Sequence, residues 1–163
     1  MSATSATPSL GESPRDILAA RCRTVAETAE RIASAYRRVA LLLDSCTSLA
    51  RRRRVLDLAA VRWRALLPEL PAEWESPPYP PTTNPDTFTL YAEDYDALAG
   101  AYRETATALS TDAMTSGTRA FLRSVLRSLP RDVWRAIVRS TVVHGLAERL
   151  EARHDSARGR RAE

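Results

Sequence analysis

The side chains able to do covalent or metal chemistry are few and scattered. The chain holds two histidines, His144 and His154, and two cysteines, Cys22 and Cys46. Glu151 and His154 have the Glu-x-x-His spacing that helical di-metal carboxylate sites use in pairs, yet no second copy of the motif accompanies them. Chance spacing beside a charged C-terminus accounts for it. No Cys-x-x-Cys pair, glycine-rich phosphate loop or nucleophile elbow occurs. General acid–base or nucleophilic catalysis needs polar groups that converge, and these do not. The expectation is a non-enzymatic protein with neither metal nor cofactor.

The remaining chemistry belongs to arginine and the aromatic rings. All 24 basic residues are arginine, against 20 acids, for a formal charge of +4. A GC-rich coding sequence is the simplest reason for the lack of lysine. The charge is unevenly placed. Arg51, Arg52, Arg53, Arg54, Arg62 and Arg64 face only Asp57 in their segment, whereas residues 65 to 100 carry seven acids and no arginine. Such asymmetry favours oriented docking between oppositely charged faces over uniform wrapping of nucleic acid. A nucleic-acid reader would also need aromatic rings beside the arginines to stack bases, and only Trp63 is near. Weak nonspecific DNA contact is the most that this pattern predicts, with a nuclear import signal as a further use of the run.

These residues must be positioned by helices. A hydrophobic fraction of 44% with only 5 glycines suits a helical chain, because glycine costs a helix interior about 1 kcal/mol relative to alanine. Ser13 is an N-cap candidate with Pro14 at the first helical position. From there Leu18, Cys22, Val25, Ala29, Ile32, Tyr36, Val39, Leu43 and Cys46 recur at alternating four- and three-residue steps, a heptad stripe. Its small members favour an antiparallel bundle over an isolated two-chain coiled coil. Read as one helix, this stripe separates the two cysteines by about 36 Å, too far to pair.

A second helix, continuous with the first or broken near residues 45 to 48, carries Leu49, Leu56, Ala59, Ala60, Trp63, Leu66, Leu67 and Leu70. Its four consecutive arginines point all around the axis, so some must meet protein. Six prolines between Pro71 and Pro85 then build a connector over 71–86, either a stiff crossover or a docking peptide. Asp86 or Thr87 is expected to cap a third helix striped with Phe88, Tyr91, Tyr95, Leu98, Tyr102, Ala106 and Leu109. Tyrosines on one face serve an interface or an intramolecular bundle face equally well. Residues 118–152 read as a C-terminal helical or degenerate segment: Phe121 to Leu129 as helix or strand pair, then a helix with Val133, Trp134, Ile137, Val138, Val142, Leu146 and Leu150. A disordered tail over 1–12 and a charged tail over 153–163 flank a helical domain over 13–112 and this segment. The N-terminus lacks an apolar signal core and no run is long and apolar enough to span a membrane, so an intracellular soluble protein is expected.

Three blocks carry a resemblance. Cys46 to Trp63 (CTSLARRRRVLDLAAVRW), followed by a Leu-Pro step, resembles a signature helix of Psf-type subunits of the GINS replication complex. Residues 92–103 (AEDYDALAGAYR) resemble the acidic, aromatic helix after that family's loop, and 129–146 (LPRDVWRAIVRSTVVHGL) its C-terminal helix. The chain departs from the family at Leu42-Leu43-Asp44-Ser45, where a basic patch is usual, and in a longer proline-rich loop. It also leaves only Thr115 to Ser128 for the small β-rich B domain, which would be degenerate or missing. The resemblance implies an all-α, non-enzymatic subunit that joins other GINS subunits and replicative helicase components in a nuclear hetero-oligomer. It places partner contacts on Arg51, Arg52, Arg53, Arg54, Arg62, Trp63, Tyr91, Tyr95, Tyr102 and Trp134. An unrelated helical scaffold or adaptor is the alternative, and an arginine-rich nucleic-acid-binding protein the third.

Overall fold

A computed structural model describes residues 11–66 and 79–159. The tail before Gly11, Leu67, Leu70 and the connector up to Pro78 lie outside the described residues, as do the side chains of Leu66, Leu146, Leu150, Glu151 and His154. The chain is all-α: five helices follow one another, α1 (Pro14–Asp44), α2 (Leu49–Leu66), α3 (Pro85–Thr111), α4 (Ser116–Arg127) and α5 (Arg131–Gly159), with no strand among the described residues.

Local chemistry sets the boundaries. At the start of α1 the Ser13 hydroxyl accepts from the Asp16 amide at 3.2 Å and the Asp16 carboxylate accepts from the Ser13 amide at 3.2 Å, a reciprocal capping box. The helix ends at Asp44, so Cys46 falls in the turn and the heptad stripe closes at Leu43, one step earlier than its spacing predicts. The Ser48 hydroxyl accepts from the Arg51 amide at 3.3 Å and opens α2. Arg52 reaches back to the Cys46 carbonyl at 3.3 Å and pins that turn. For α3 the cap is Asn84, not Asp86 or Thr87: its side chain accepts from the Asp86 amide at 3.0 Å, and Pro85 takes the first helical position, where a missing N–H costs nothing. The helix stops at Asp112, which adopts the left-handed conformation at φ 58°, a geometry that aspartate tolerates better than most residues. Residues 116–127 are helix rather than a strand pair, capped by the Thr115 hydroxyl on the Thr118 amide at 3.1 Å.

The antiparallel pair α1–α3 is the spine, with the most extensive contact in the molecule. Its seam is built from alanines at every seventh position: Ala19, Ala26, Ala33 and Ala40 on α1, Ala92, Ala99 and Ala106 on α3, all buried. A seven-residue repeat keeps one narrow edge of a helix toward its neighbour, and small side chains there let the axes approach closely. The larger stripe residues fill two cores at the two ends of this seam. One gathers Leu18, Cys22 and Val25 of α1, Tyr102 and Leu109 of α3, Val125 of α4 and Ile137 of α5, with Leu129 from the α4–α5 turn. The other gathers Ile32, Tyr36 and Leu43 of α1, Phe88 of α3 and Trp63 of α2. Ion pairs Arg15–Asp112, Glu30–Arg103 and Arg37–Asp96 run along the outside of the seam in antiparallel order. Every side chain in them is at least 40% exposed, so solvent screening leaves each pair serving register more than stability.

Candidate interaction surfaces

The tyrosine face is filled by the chain itself. Tyr36, fully buried, is the hub of an aromatic cluster: its ring centroid lies 4.7 Å from Trp63, 5.5 Å from Tyr91, 5.8 Å from Tyr95 and 6.1 Å from Phe88. Tyr79 closes the cluster from the segment before α3, 5.8 Å from both Trp63 and Phe88. Burial raises the Tyr36 hydroxyl well above its ordinary 10.0, with the neighbouring Tyr95, Tyr91 and Tyr79 adding to the shift. Burial also pushes Tyr79 up to about 12 and raises Tyr95. The Tyr79 hydroxyl is buried without a hydrogen-bond partner among the described residues, a local cost against the area that its ring covers. At the other end of α3, Tyr102 stands edge-on to Phe121 of α4 at 5.0 Å.

Trp63 and Tyr102, expected to meet a partner, are therefore buried in the chain's own cores, and Tyr91 and Tyr95 are packed against Tyr36. This burial has a simple cause. Helical periodicity shows that a face is covered but not by which chain, and α1 supplies the cover here. Arg51, Arg53, Arg54 and Arg62 are exposed, Arg52 is partly covered through its bond to the Cys46 carbonyl, and Trp134 is exposed.

What the structure turns outward is less obvious from the sequence. α2 is apolar on two sides. Trp63, Leu56 and Ala59 face the core, while Leu58 and Val61, 62% and 60% exposed, lie on the opposite side among Arg51, Arg54 and Arg62. At the α1–α2 corner Leu41, Leu42 and Leu49 are also open, Leu41 at 71%. The apolar residues of α5 likewise split into two rows. Val133 and Ile137 pack inward; Trp134, Val138 and Val142, each four residues from the next, point to solvent between Arg131, Arg135 and Arg139. The apolar set of each helix was too wide for one buried stripe, and that width was the signal available in the sequence.

Among the described residues, the histidine and serine that approach each other are both bonded to backbone carbonyls. His144 Nδ1 donates to the Ser140 carbonyl at 2.9 Å, and the Ser140 hydroxyl donates to the Glu12 carbonyl. A ring nitrogen that donates in this way has no lone pair to take the serine proton, so the two do not form a nucleophile–base pair. Their bonds tie the start of the described chain to α5. Cys22 is buried, and desolvation lifts its thiol to about 11, the inert state of a core cysteine. A shallow groove between the end of α1 and the start of α3 is lined by Arg37, Leu41, Asp44 and Asp86, charges of both signs with no common direction. Among the described residues no cluster of three or more His, Cys, Asp or Glu side chains could hold a metal ion, and no helix is long and apolar enough to cross a membrane. Compared with protein-family models, curated proteins and solved structures, the chain matches none.

Proposed function

We propose that this chain is a non-enzymatic helical adaptor that assembles into a heteromeric complex through the outer face of α2 and the α1–α2 corner. The observation that carries this is the open aliphatic pair Leu58 and Val61 on the outer side of α2, bordered by Arg51, Arg54 and Arg62, with Leu41, Leu42 and Leu49 also open at the α1–α2 corner. Scattered exposed leucines are ordinary, but an aliphatic pair rimmed by arginines on one helix is the surface that partners cover. Aliphatic area supplies affinity there, and the guanidiniums select an acidic rim on the partner.

The concrete assembly proposed is a GINS-type replication complex, with the nuclear location, helicase contact and weak nonspecific DNA contact that it implies. Its support is the order of the three resembling blocks, which fall on α2, on the middle of α3 and on the start of α5. The unrelated helical scaffold is favoured by a different observation: the stretch from Thr115 to Ser128, where the family would place a β-rich domain, is the single helix α4 with its caps.

Purification of the full chain from its own cells, with its companions identified by mass spectrometry, separates the two. Replication-fork subunits support the GINS assignment, and another stable complex supports the scaffold. In either case Leu58→Ser with Val61→Ser should lower the recovery of companions by tenfold or more while leaving the helical circular dichroism unchanged. Undiminished recovery would overturn the docking surface itself.

A further inference from the structure

The outward row of α5 has its complement elsewhere on the same molecule. Residues 113 to 147 contain six arginines (Arg119, Arg123, Arg127, Arg131, Arg135 and Arg139) and a single acid, Asp132. The last three arginines flank the exposed row Trp134, Val138 and Val142. The side of α3 turned away from α1 shows the opposite character. Asp86, Glu93, Asp94 and Glu104 are exposed there around Leu90, which is 61% open, and Ala97. The one arginine of α3, Arg103, lies on another side, where it is held by Glu30 of α1 at 2.7 Å. Asp86 to Glu104 and Arg131 to Arg149 each cover 18 residue steps, about 27 Å of helix. One face is apolar with a basic border; the other is an apolar pair in an acidic border of equal length.

We infer that the outward face of α5 is the seat for α3 of a second copy of this chain. Within one molecule the two faces do not meet, because α5 leans on α1 and the acidic side of α3 is the side opposite α1. Between copies, Trp134, Val138 and Val142 cover Leu90 and Ala97, and the arginines reach the carboxylates around them. Aromatic and arginine side chains together are the residues most enriched where interfaces hold their energy. A single helix-on-helix contact is small beside a standard interface of roughly 1,600 Å², so the pairing is reversible and strongly dependent on salt. The inference stands apart from the identity of any heteromeric partner, which occupies α2.

The mass of the full chain in solution, followed by analytical ultracentrifugation over a range of concentrations, tests it. The wild type should associate with rising concentration, and association should weaken by roughly tenfold or more between about 50 mM and about 500 mM salt. Arg135→Glu with Arg139→Glu should give a monomer, and so should Glu93→Arg with Asp94→Arg, each with unchanged helical circular dichroism. Mixing the two variants should restore a one-to-one pair, because each retains the face that the other lacks. All four positions are exposed, so folding is not at stake, and Trp134→Ser removes the apolar anchor without touching charge and should weaken the wild-type association. A wild type that stays monomeric at every concentration and salt overturns the inference, as do variants that remain monomeric on mixing. Binding of the monomer through Arg135 and Arg139 to phosphatidylserine vesicles or to single-stranded DNA, without self-association, overturns it in favour of that surface. Recovery of heteromeric companions by the Arg135→Glu, Arg139→Glu variant distinguishes this failure from a failure of the adaptor function.

Discussion

The seam between α1 and α3 and the outer side of α2 are both rich in small and aliphatic residues, yet they behave in opposite ways. In the seam, alanines on a seven-residue repeat are sealed from water, with larger side chains locked to either side of them. On α2, Trp63 anchors the inner side while Leu58 and Val61 stay open. The difference lies in phase rather than composition. A strict seven-residue repeat holds one edge of a helix against one neighbour over many turns, whereas residues spread over two sides of a helix can be covered on only one of them by a single neighbour. Buried apolar contact therefore concentrates in the α1–α3 spine, and open apolar surface in the flanking helices.

Truncating the hub of the spine should break this contrast most visibly. Tyr36→Ala removes a ring that touches Trp63, Phe88, Tyr91 and Tyr95 and should cost about 3–5 kcal/mol in urea unfolding, a large share of the stability of a small domain. A loss similar to that of an exposed leucine would mean that the cluster is not a core. Crowding the seam is the next test. Ala33→Leu forces extra methylenes into a fully buried site between α1 and α3 and should cost about 1–3 kcal/mol, whereas Leu58→Ala on the outer side of α2 should stay within about 0.5 kcal/mol. Equal costs would erase the distinction between spine and docking surface.

Alkaline titration sharpens the comparison with a smaller effect. Tyr36, Tyr79 and Tyr95 all have folded-state values raised above 10.0 by burial, Tyr79 to about 12. In the unfolded chain these phenols ionise first, so the unfolded state binds fewer protons above pH 10. The stability that they contribute is complete below that pH and is lost as pH rises through the folded values. Tyrosinate absorbance from the cluster should therefore appear together with loss of helicity. Ionisation of every tyrosine near pH 10 with the helices intact would show that water already reaches the cluster.

Much of this was legible beforehand. Ser13, Pro14 and Asp16 announce the start of α1, and the stripe from Leu18 to Leu43 names its buried face. The third helix and its tyrosine side were equally plain, although Asn84 rather than Asp86 caps it. These features are local. Capping and periodicity depend on residues within one or two turns of each other, so neighbouring residue types suffice to specify them. Which chain covers a given face is a nonlocal matter. Tyr36, Tyr91 and Tyr95 could have met a partner, but the antiparallel register of α1 against α3 turns them on one another. Trp134 and Val138 could have been core, but Ile137 and Val133 occupy the side of α5 that reaches α1 and α4, and the outer row stays in water. By itself the sequence determined which residues are apolar and where α1 begins. Only the tertiary structure decided which apolar rows are buried and which are left open, because a helix of two apolar sides has no local preference between them until a neighbouring helix packs against one.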